Sequence, residues 1–542
     1  MTGRLTRAER AAWPLARDVV KAVALDYGAC IRPVQLRKTN LDTGEVEQVL
    51  IPCGSTLARV CPPCAERARV LRAAQCREGW HLEDEPTADP RPPGDHQRRL
   101  VETLADLQAG RDHGEDTAGL DDLMDAVEEE LAATGVRGHP DPSNNNDGGS
   151  GPGGRKRSRR RRSTRRRQDA SDLPGRTMRP LTVGRVYSGP KGQLYRPSMF
   201  ITLTCPSYGP VRDDGTPVDP DSYDYESAAR DALHFAALFD RFIQNLRRFA
   251  GFDVQYFAAV EPQKRLAPHV HIAVRGTISR ADLRKVLAAT YHQVWWPAFG
   301  EARFDGDHLP VWHGASRRYL DPESGEFLPS WDQALDAIGP QDRPRHLVRF
   351  GTKFDAQGVL AGSKDASRCI GYLTKYLVKQ VAECHTPETD TQRAHADRLI
   401  QALRYEPCSP RCANWLRHGI TPKNPRPGLL PGACKGKAHR PEHLGYAGRR
   451  VLVSRKWSGK TLADHRGDRQ AWLLEALGLP ATADNGRYRW ALVSPADDDY
   501  LPLTRRLMLV VEDRMRWKRS LEEARRRAED QHDQPPVARS AA

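Results

Sequence analysis

Residues 261–271, read E-P-Q-K-R-L-A-P-H-V-H, constrain this chain more than any other stretch. After Pro268, the apolar Val270, Ile272 and Val274 alternate with His269, His271 and Ala273. A period of two is the pattern of a half-buried strand, so both imidazoles project from one face while the aliphatic side chains pack beneath. Residues 254–260, V-Q-Y-F-A-A-V, predict a second strand, and 262–268, bounded by Pro262 and Pro268, connect the two as an antiparallel pair. Glu261 then stands at the end of its strand, level with the histidines. Two neutral imidazoles and one carboxylate, with positions left open, form a divalent-metal site able to polarise a phosphate oxygen.

Further along, Ile370, Leu373, Leu377 and Val381 fall three or four residues apart and predict one apolar stripe of a helix. Tyr372, Lys375, Tyr376 and Lys379 share another face at the same spacing. Tyrosines one turn apart are often core residues, but the two lysines argue against a dry interface. A face of two phenols and two ammonium groups suits phosphate chemistry. A phenol with an ordinary pKa of about 10 needs nearby cations and a metal-polarised phosphate to act as a nucleophile near neutral pH.

In these residues the chain resembles the HUH endonucleases, specifically the rolling-circle replication initiators. That superfamily carries His-hydrophobic-His on a strand, matched by His269, Val270 and His271, often with a third ligand upstream, matched by Glu261. Its tyrosine lies on a helix, and Y-x-x-K-Y-x-x-K at 372–379 is similar to the two-tyrosine initiators. Residues 200–206, F-I-T-L-T-C-P, resemble the first motif, an inner strand without a catalytic side chain. The motifs stand in the family's order within residues 195–385. Flanking cysteine clusters and an arginine-rich insert also resemble the Rep proteins of actinomycete plasmids and integrative conjugative elements.

The resemblance implies that a tyrosine attacks the scissile phosphate at an origin, stays joined to the 5′-phosphate and leaves a free 3′-OH for a polymerase. It implies Tyr376, flanked by Lys375 and Lys379, as the first nucleophile and Tyr372 as the second, which cuts again and lets the product be rejoined. Magnesium or manganese would sit at Glu261, His269 and His271, and host helicase and polymerase would be partners. Two-tyrosine transposases and relaxases share the motifs, although relaxases more often place the tyrosine before the histidines. A zinc-containing, non-catalytic DNA-binding regulator is the reading in which His-Val-His is merely a buried strand pair. Histidines on a strand and tyrosines on a helix predict an α+β domain, an antiparallel sheet with helices on one face.

Length bounds the rest. At 542 residues there is room for roughly two to four domains. Lys+Arg 84 against Asp+Glu 70 gives a net charge of +14, which favours a polyanionic partner. Residues 1–10 lack the apolar run of a signal peptide and no stretch approaches a membrane span, so a cytoplasmic location is expected. Eleven cysteines in such a setting are thiols and metal ligands rather than disulfides.

Residues 1–82 hold C-P-P-C at 61–64, a knuckle that with Cys30 and Cys53 makes a structural zinc set of Cys30, Cys53, Cys61 and Cys64, leaving Cys76 as the spare. Residues 83–180 form a linker, with ten cations in the thirteen positions 155–167, expected to be disordered when free and to bind phosphates. Residues 181–400 form the nicking domain. Within it Phe235, Phe239, Phe242, Leu246 and Phe249 predict a core helix, 279–296 a capped helix ending at Trp295 and Trp296, and 301–367 a loop-rich, DNA-contacting insertion. Residues 401–470 carry a second, looser zinc set of Cys408, Cys412, Cys434 and His439, with His418 or His443 as alternatives to the last. The W-S-G-K-T at 457–461 fails as a phosphate loop because Ser454 stands where a glycine is required. Residues 471–542 read as a helical region and a tail.

Overall fold

The structure, a computed structural model, describes residues 14–82, 103, 173–183, 187–188, 194–195, 197–339, 341–360, 363–375, 387–476, 488–495 and 497–532. The chain divides into two compact units, Met1–Pro86 with Ser163–Ala542 and Thr87–Arg162. All elements below belong to the first, and the arginine-rich run 155–167 lies outside the described residues. In chain order they are α1 (Pro14–Asp26), β1 (Val34–Asn40), β2 (Val46–Ile51), α2 (Pro62–Trp80), β3 (Tyr187–Ser188), β4 (Leu194–Tyr195) and β5 (Pro197–Thr204). Next come α3 (Tyr225–Ala250), β6 (Tyr256–Pro262), β7 (Pro268–Arg275), α4 (Arg280–Ala288), β8 (Tyr291–Val294), β9 (Val311–His313), β10 (Arg318–Leu320) and α5 (Trp331–Asp336). The rest are β11 (His346–Arg349), β12 (Phe354–Leu360), α6 (Lys364–Lys375), α7 (Asp390–Tyr405), β13 (Val451–Val453), α8 (Leu462–Ala476), β14 (Tyr488–Leu492) and α9 (Leu503–His532).

The central sheet is antiparallel with strand order β12-β5-β7-β6-β13, so the histidine strand β7 is its middle. Alternation decides what each face buries. Val270, Ile272 and Val274, with Ile201, Leu203, Ala258 and Val260, pack in one core with Phe235, Phe239 and Phe242 of α3. Each fully buried Val, Leu, Ile or Phe of this set contributes about 1.5–3 kcal/mol. Asp224 caps α3 by accepting the Ser227 N–H, and Gly251 ends it at φ 70°.

The sheet's other face is covered too, so helices lie on both faces rather than on one as expected. Phe257, Ala259 and Ala273 alternate with the aliphatics just described and carry apolar side chains of their own; they pack against Ala366, Cys369, Ile370 and Leu373 of α6, Cys76 and Trp80 of α2, and Trp457. Strand β7 is consequently buried at all eight positions, which an alternating strand with one wet face is not. The W-S-G-K-T segment is structural: Trp457 is fully buried, and Ser458 bonds His465 Nε2 at 2.9 Å while His465 Nδ1 faces Glu78 at 3.1 Å, tying α8 to α2.

Distant segments share the remaining layers. Strands β14, β1 and β2 form one antiparallel sheet, and Leu507 and Val511 of α9 pack on Ala24, Cys30, Cys61 and Cys64. The described parts of segments 1–82 and 471–542 therefore meet, residues 34–51 with 488–492 and residues 24–64 with α9. Similarly, Trp331 and Leu335 of the 301–367 insertion pack with Cys412, Trp415 and Ile420, and that insertion holds the β9–β10 hairpin, α5, β11 and β12. The predicted helix 279–296 stops at Ala288: Ser279 caps it, but 291–294 pairs with β11, and Trp296 packs on Trp415 at 5.7 Å. Among the described residues no helix is long and apolar enough to cross a membrane.

Two histidines of this fold sense acid. Burial above all, then His292, His346 and Arg230, lowers His234 from 6.5 to about 3; burial, then Arg241 and His346, lowers His292 to about 4. The unfolded chain therefore binds more protons between about pH 6.5 and 3, and stability is full above that window and falls as pH drops through it. Urea midpoints are expected to fall from pH 7 to pH 4.5, and less steeply in His234→Phe; identical slopes would refute the assignment.

Candidate metal centres and a tyrosine face

The register of the sheet builds the first centre. His269 of β7 lies opposite Glu261 of β6 on one side and Thr204 of β5 on the other, while His271 lies opposite Thr202. Glu261 Oε1 is 3.0 Å from His271 Nε2 and 3.5 Å from His269 Nε2, and the two Nε2 atoms are 2.8 Å apart. Two ring nitrogens and a carboxylate oxygen this close repel unless a proton or a cation lies among them. An octahedral ion with ligands at about 2.1 Å holds neighbouring ligand atoms about 3.0 Å apart, so this triangle fits one facet of such a shell. His271 Nδ1 is 2.9 Å from Thr202 Oγ1; with Nδ1–H donating there, Nε2 keeps its lone pair for a metal. All three side chains are buried. Burial pushes the Glu261 carboxyl up, but hydrogen bonds from His269 and His271 win and hold it at about 2. For His269 burial dominates and lowers it, against the opposing pull of Glu261.

Helix α6 brings the tyrosine face to this centre. Ser363 Oγ accepts the Ala366 N–H at its start, Asp365 and Lys375 lie at the ends that complement its dipole, and Ile370 and Leu373 are buried as the stripe requires. The opposite face is open: Tyr372 is 42% exposed, and its ring stands edge-on to His271 at 4.7 Å between centroids. Phe200 stacks on His271 at 5.7 Å and meets Tyr372 at 6.2 Å, so it wedges the two together. A groove of about 440 Å³ beside Tyr372 is lined by Arg69, Arg368, Gly371, Lys375 and Glu66, three cations against one carboxylate, which Arg69 engages at 2.6 Å. Tyr376 and Lys379, with Leu377 and Val381, lie outside the described residues.

Both cysteine sets converge: in each, the four ligand atoms lie within 4.8 Å of one another. Tetrahedral zinc with thiolates at about 2.3 Å holds sulfurs about 3.8 Å apart, whereas a disulfide needs about 2.05 Å. Cys30 and Cys61 Sγ are 3.8 Å apart, and Cys408 and Cys434 Sγ 4.0 Å. Backbone N–H groups of Arg32 and Cys53 donate to Cys30 Sγ, and Arg67 donates to Cys64 Sγ. The Cys30 thiol, burial opposing it and Arg67 assisting, holds Cys64 down at about 4, the thiolate a metal requires.

In the second set Cys412 Sγ is 3.4 Å from His439 Nε2, and His439 Nδ1–H donates to the Leu403 carbonyl at 2.9 Å, which fixes the tautomer. Burial lowers His439, but Cys408 and Cys434 override it and raise it to about 10. A Cβ on Gly436 would stand 3.1 Å from Cys408 Sγ, a tight approach that glycine avoids. His418 lies against Phe299 at 4.3 Å and, like His443, is not in the set. Cys76 is buried under the central sheet, away from the first set.

Sequence reasoning missed Thr202, Phe200 and the Leu403 carbonyl. The first two were visible in principle: they sit on the strand after Pro197 whose even positions face the histidines. A family model described as "Replication initiator protein, pSAM2" matches residues 16–528. A replication initiator protein from Streptomyces ambofaciens is 26% identical over 272 residues, taking in 40% of this chain and 52% of the relative. The chain thus spans about half the length of that curated relative. No solved structure matches.

Proposed function

The chain belongs to the replication initiator family of the pSAM2 protein, and from that membership we propose that it starts replication by cutting one DNA strand at an origin, as an HUH-type endonuclease. The observation that carries this reading is the convergence of Glu261, His269 and His271 with the Tyr372 ring against His271. A magnesium or manganese ion held by those three residues would polarise a non-bridging oxygen of the scissile phosphate.

The chain's own groups do the rest. A tyrosine oxygen attacks phosphorus and loses its proton; the bond from phosphorus to the 3′-oxygen breaks, and that oxygen takes up a proton to leave as a hydroxyl. The 5′-phosphate remains on the tyrosine, and a polymerase extends the 3′-OH in rolling-circle fashion. Lys375, Arg69 and Arg368 beside Tyr372 hold phosphates of the strand. Tyr376, set between Lys375 and Lys379, makes the first link, and Tyr372 the second, after one round.

Duplex DNA is held elsewhere. Residues 404–450 contain ten Lys and Arg against two acids, and eight of the ten cations are exposed, Arg411, Lys423, Arg426, Lys435, Lys437 and Arg440 among them. Contacts of that kind bind phosphates on any sequence. Zinc at the two cysteine sets would be structural, and unwinding falls to a host helicase, in the cytoplasm where the DNA is.

Incubation with supercoiled DNA carrying the cognate origin, followed by a search for a covalent protein–DNA adduct, tests the proposal. Tyr376→Phe is expected to abolish the first adduct, whereas Tyr372→Phe still nicks but leaves products longer than one unit. Equal first nicks in both single variants, with loss only in the double, would refute this order.

A further inference from the structure

Beyond the metal centre the sheet runs into a cavity. Thr204, opposite His269, and Gln263, two residues past Glu261, both line a space of about 850 Å³, within the range of pockets that enclose small ligands. It therefore begins beside the ligand set, at the end of β5 and in the turn that follows β6. Leu287 and Phe350 give it buried apolar walls, Arg349 and Lys353 stand exposed on its lining, and among the described residues no carboxylate lines it. The loop bearing Arg349 and Lys353 reaches the strand because Gly351 N–H donates to the Thr204 carbonyl at 2.7 Å; a Cβ on Gly351 would lie 3.3 Å from that oxygen.

The polar edge is held in place. Arg265 donates to Gln263 Oε1 and to the carbonyls of Cys205 and Pro206, each at 2.8 Å, and Gln263 Nε2 donates to Thr204 Oγ1 at 3.4 Å. Engaged at its oxygen by Arg265 and, at a longer distance, at its nitrogen by Thr204, the Gln263 amide is oriented and retains one N–H and one oxygen lone pair. A donor and an acceptor side by side on an amide are what an adenine edge satisfies. Apolar walls suit a flat ring, and cations without carboxylates suit the phosphates on either side of it.

We propose that this cavity receives one unstacked nucleobase of the cut strand, adjoining the scissile phosphate, and that Gln263 reads it, with adenine the matching base. The inference rests on the strand-cutting reading above. It makes Gln263 a specificity-determining residue of the nick site, distinct from the metal ligands.

The test begins by mapping the nick on supercoiled origin DNA with the full chain. Single-stranded oligonucleotides across the nick then carry an abasic site at each of three positions on either side. One position next to the nick should be cut about tenfold more slowly when abasic, the size of one paired base contact. Gln263→Leu should show the same loss on the intact oligonucleotide and no further loss on that abasic one, because the two changes remove a single interaction. Thr352→Trp places a ring over the cavity from an exposed lining position; it should slow the intact oligonucleotide and spare the abasic one. Losses that multiply at every position, or no abasic effect at all, overturn the base assignment and leave strand cutting standing. A wild-type chain that cuts neither plasmid nor oligonucleotide overturns both.

Discussion

His271→Ala is expected to cut origin DNA about 10²–10³-fold more slowly than the wild type, with duplex binding changed little, because it removes one of three ligand atoms where outer-shell losses alone cost 10–100-fold. The geometry makes His271 the most exposed to loss. Its Nε2 is the nitrogen nearest Glu261, its Nδ1 engages Thr202, and its ring carries both Phe200 and Tyr372. A graded series separates these roles. Thr202→Val leaves all three ligands and frees only the tautomer, so it should lose about 10–100-fold and recover part of that at high metal concentration. Glu261→Gln keeps the shape and removes the negative charge that balances a dication, and should resemble His271→Ala. Duplex affinity comes from cations spread over other surfaces and should survive in each variant. Relaxation of supercoiled origin plasmid, titrated with magnesium and with manganese, reads the series; a normal rate for His271→Ala would end the metal-centre reading.

Freshly purified, reduced protein is expected to hold two zinc ions per chain, and stripping them should loosen two parts of the molecule together with whatever packs on them. Structural zinc binds with an apparent free energy of about 10–16 kcal/mol in small modules, as large as the whole stability of a typical domain. The neighbours define what should loosen. The first set shares a core with Leu507 and Val511, so residues 14–64 and α9 should lose protection from hydrogen exchange together. The second shares a core with Trp331, Leu335 and Trp415, so α5 should loosen with 408–439. Cys434→Ser should lose one equivalent and the second response alone, and Cys61→Ser the other. Elemental analysis that finds no zinc, or chelation that leaves exchange unchanged, would contradict this account.

The parts of the fold legible in the sequence are those governed by near neighbours. The alternation at 268–275 gave the histidine strand and its partner, because period two reports which face each residue takes. The phenylalanine row lies on α3, whose ends extend to Tyr225 and Ala250. The grouping of Glu261, His269 and His271 and of the two cysteine sets was legible because few residue types can serve as ligands and each set contains a close pair. What could not be read depends on segments that meet across long separations. Trp80 looks like an ordinary helix end, yet it is buried beneath the central sheet and donates to Ser198 at 2.6 Å. The helices on the second face followed from Ala259 and Ala273, small residues that local pattern treats as neutral. The cavity beside Thr204 joins four separate stretches, and no window of sequence contains it.

The pairing of β1 with β14 bears on how the protein is made. Arg37 of β1 bonds Asp499, beyond β14, across 462 positions, and α9, which follows, packs on the first cysteine set. During synthesis β1 leaves the ribosome long before β14 exists, and at about 5–20 residues per second the wait is roughly 20–90 s. For that interval the strand keeps an unpaired edge, which invites pairing with another nascent chain on the same message. A chain stalled or truncated before residue 488 never closes this edge. Leu507 and Val511, which cover the sulfurs of the first module, lie in α9, so that module is completed only after nearly the whole of this sequence has been read.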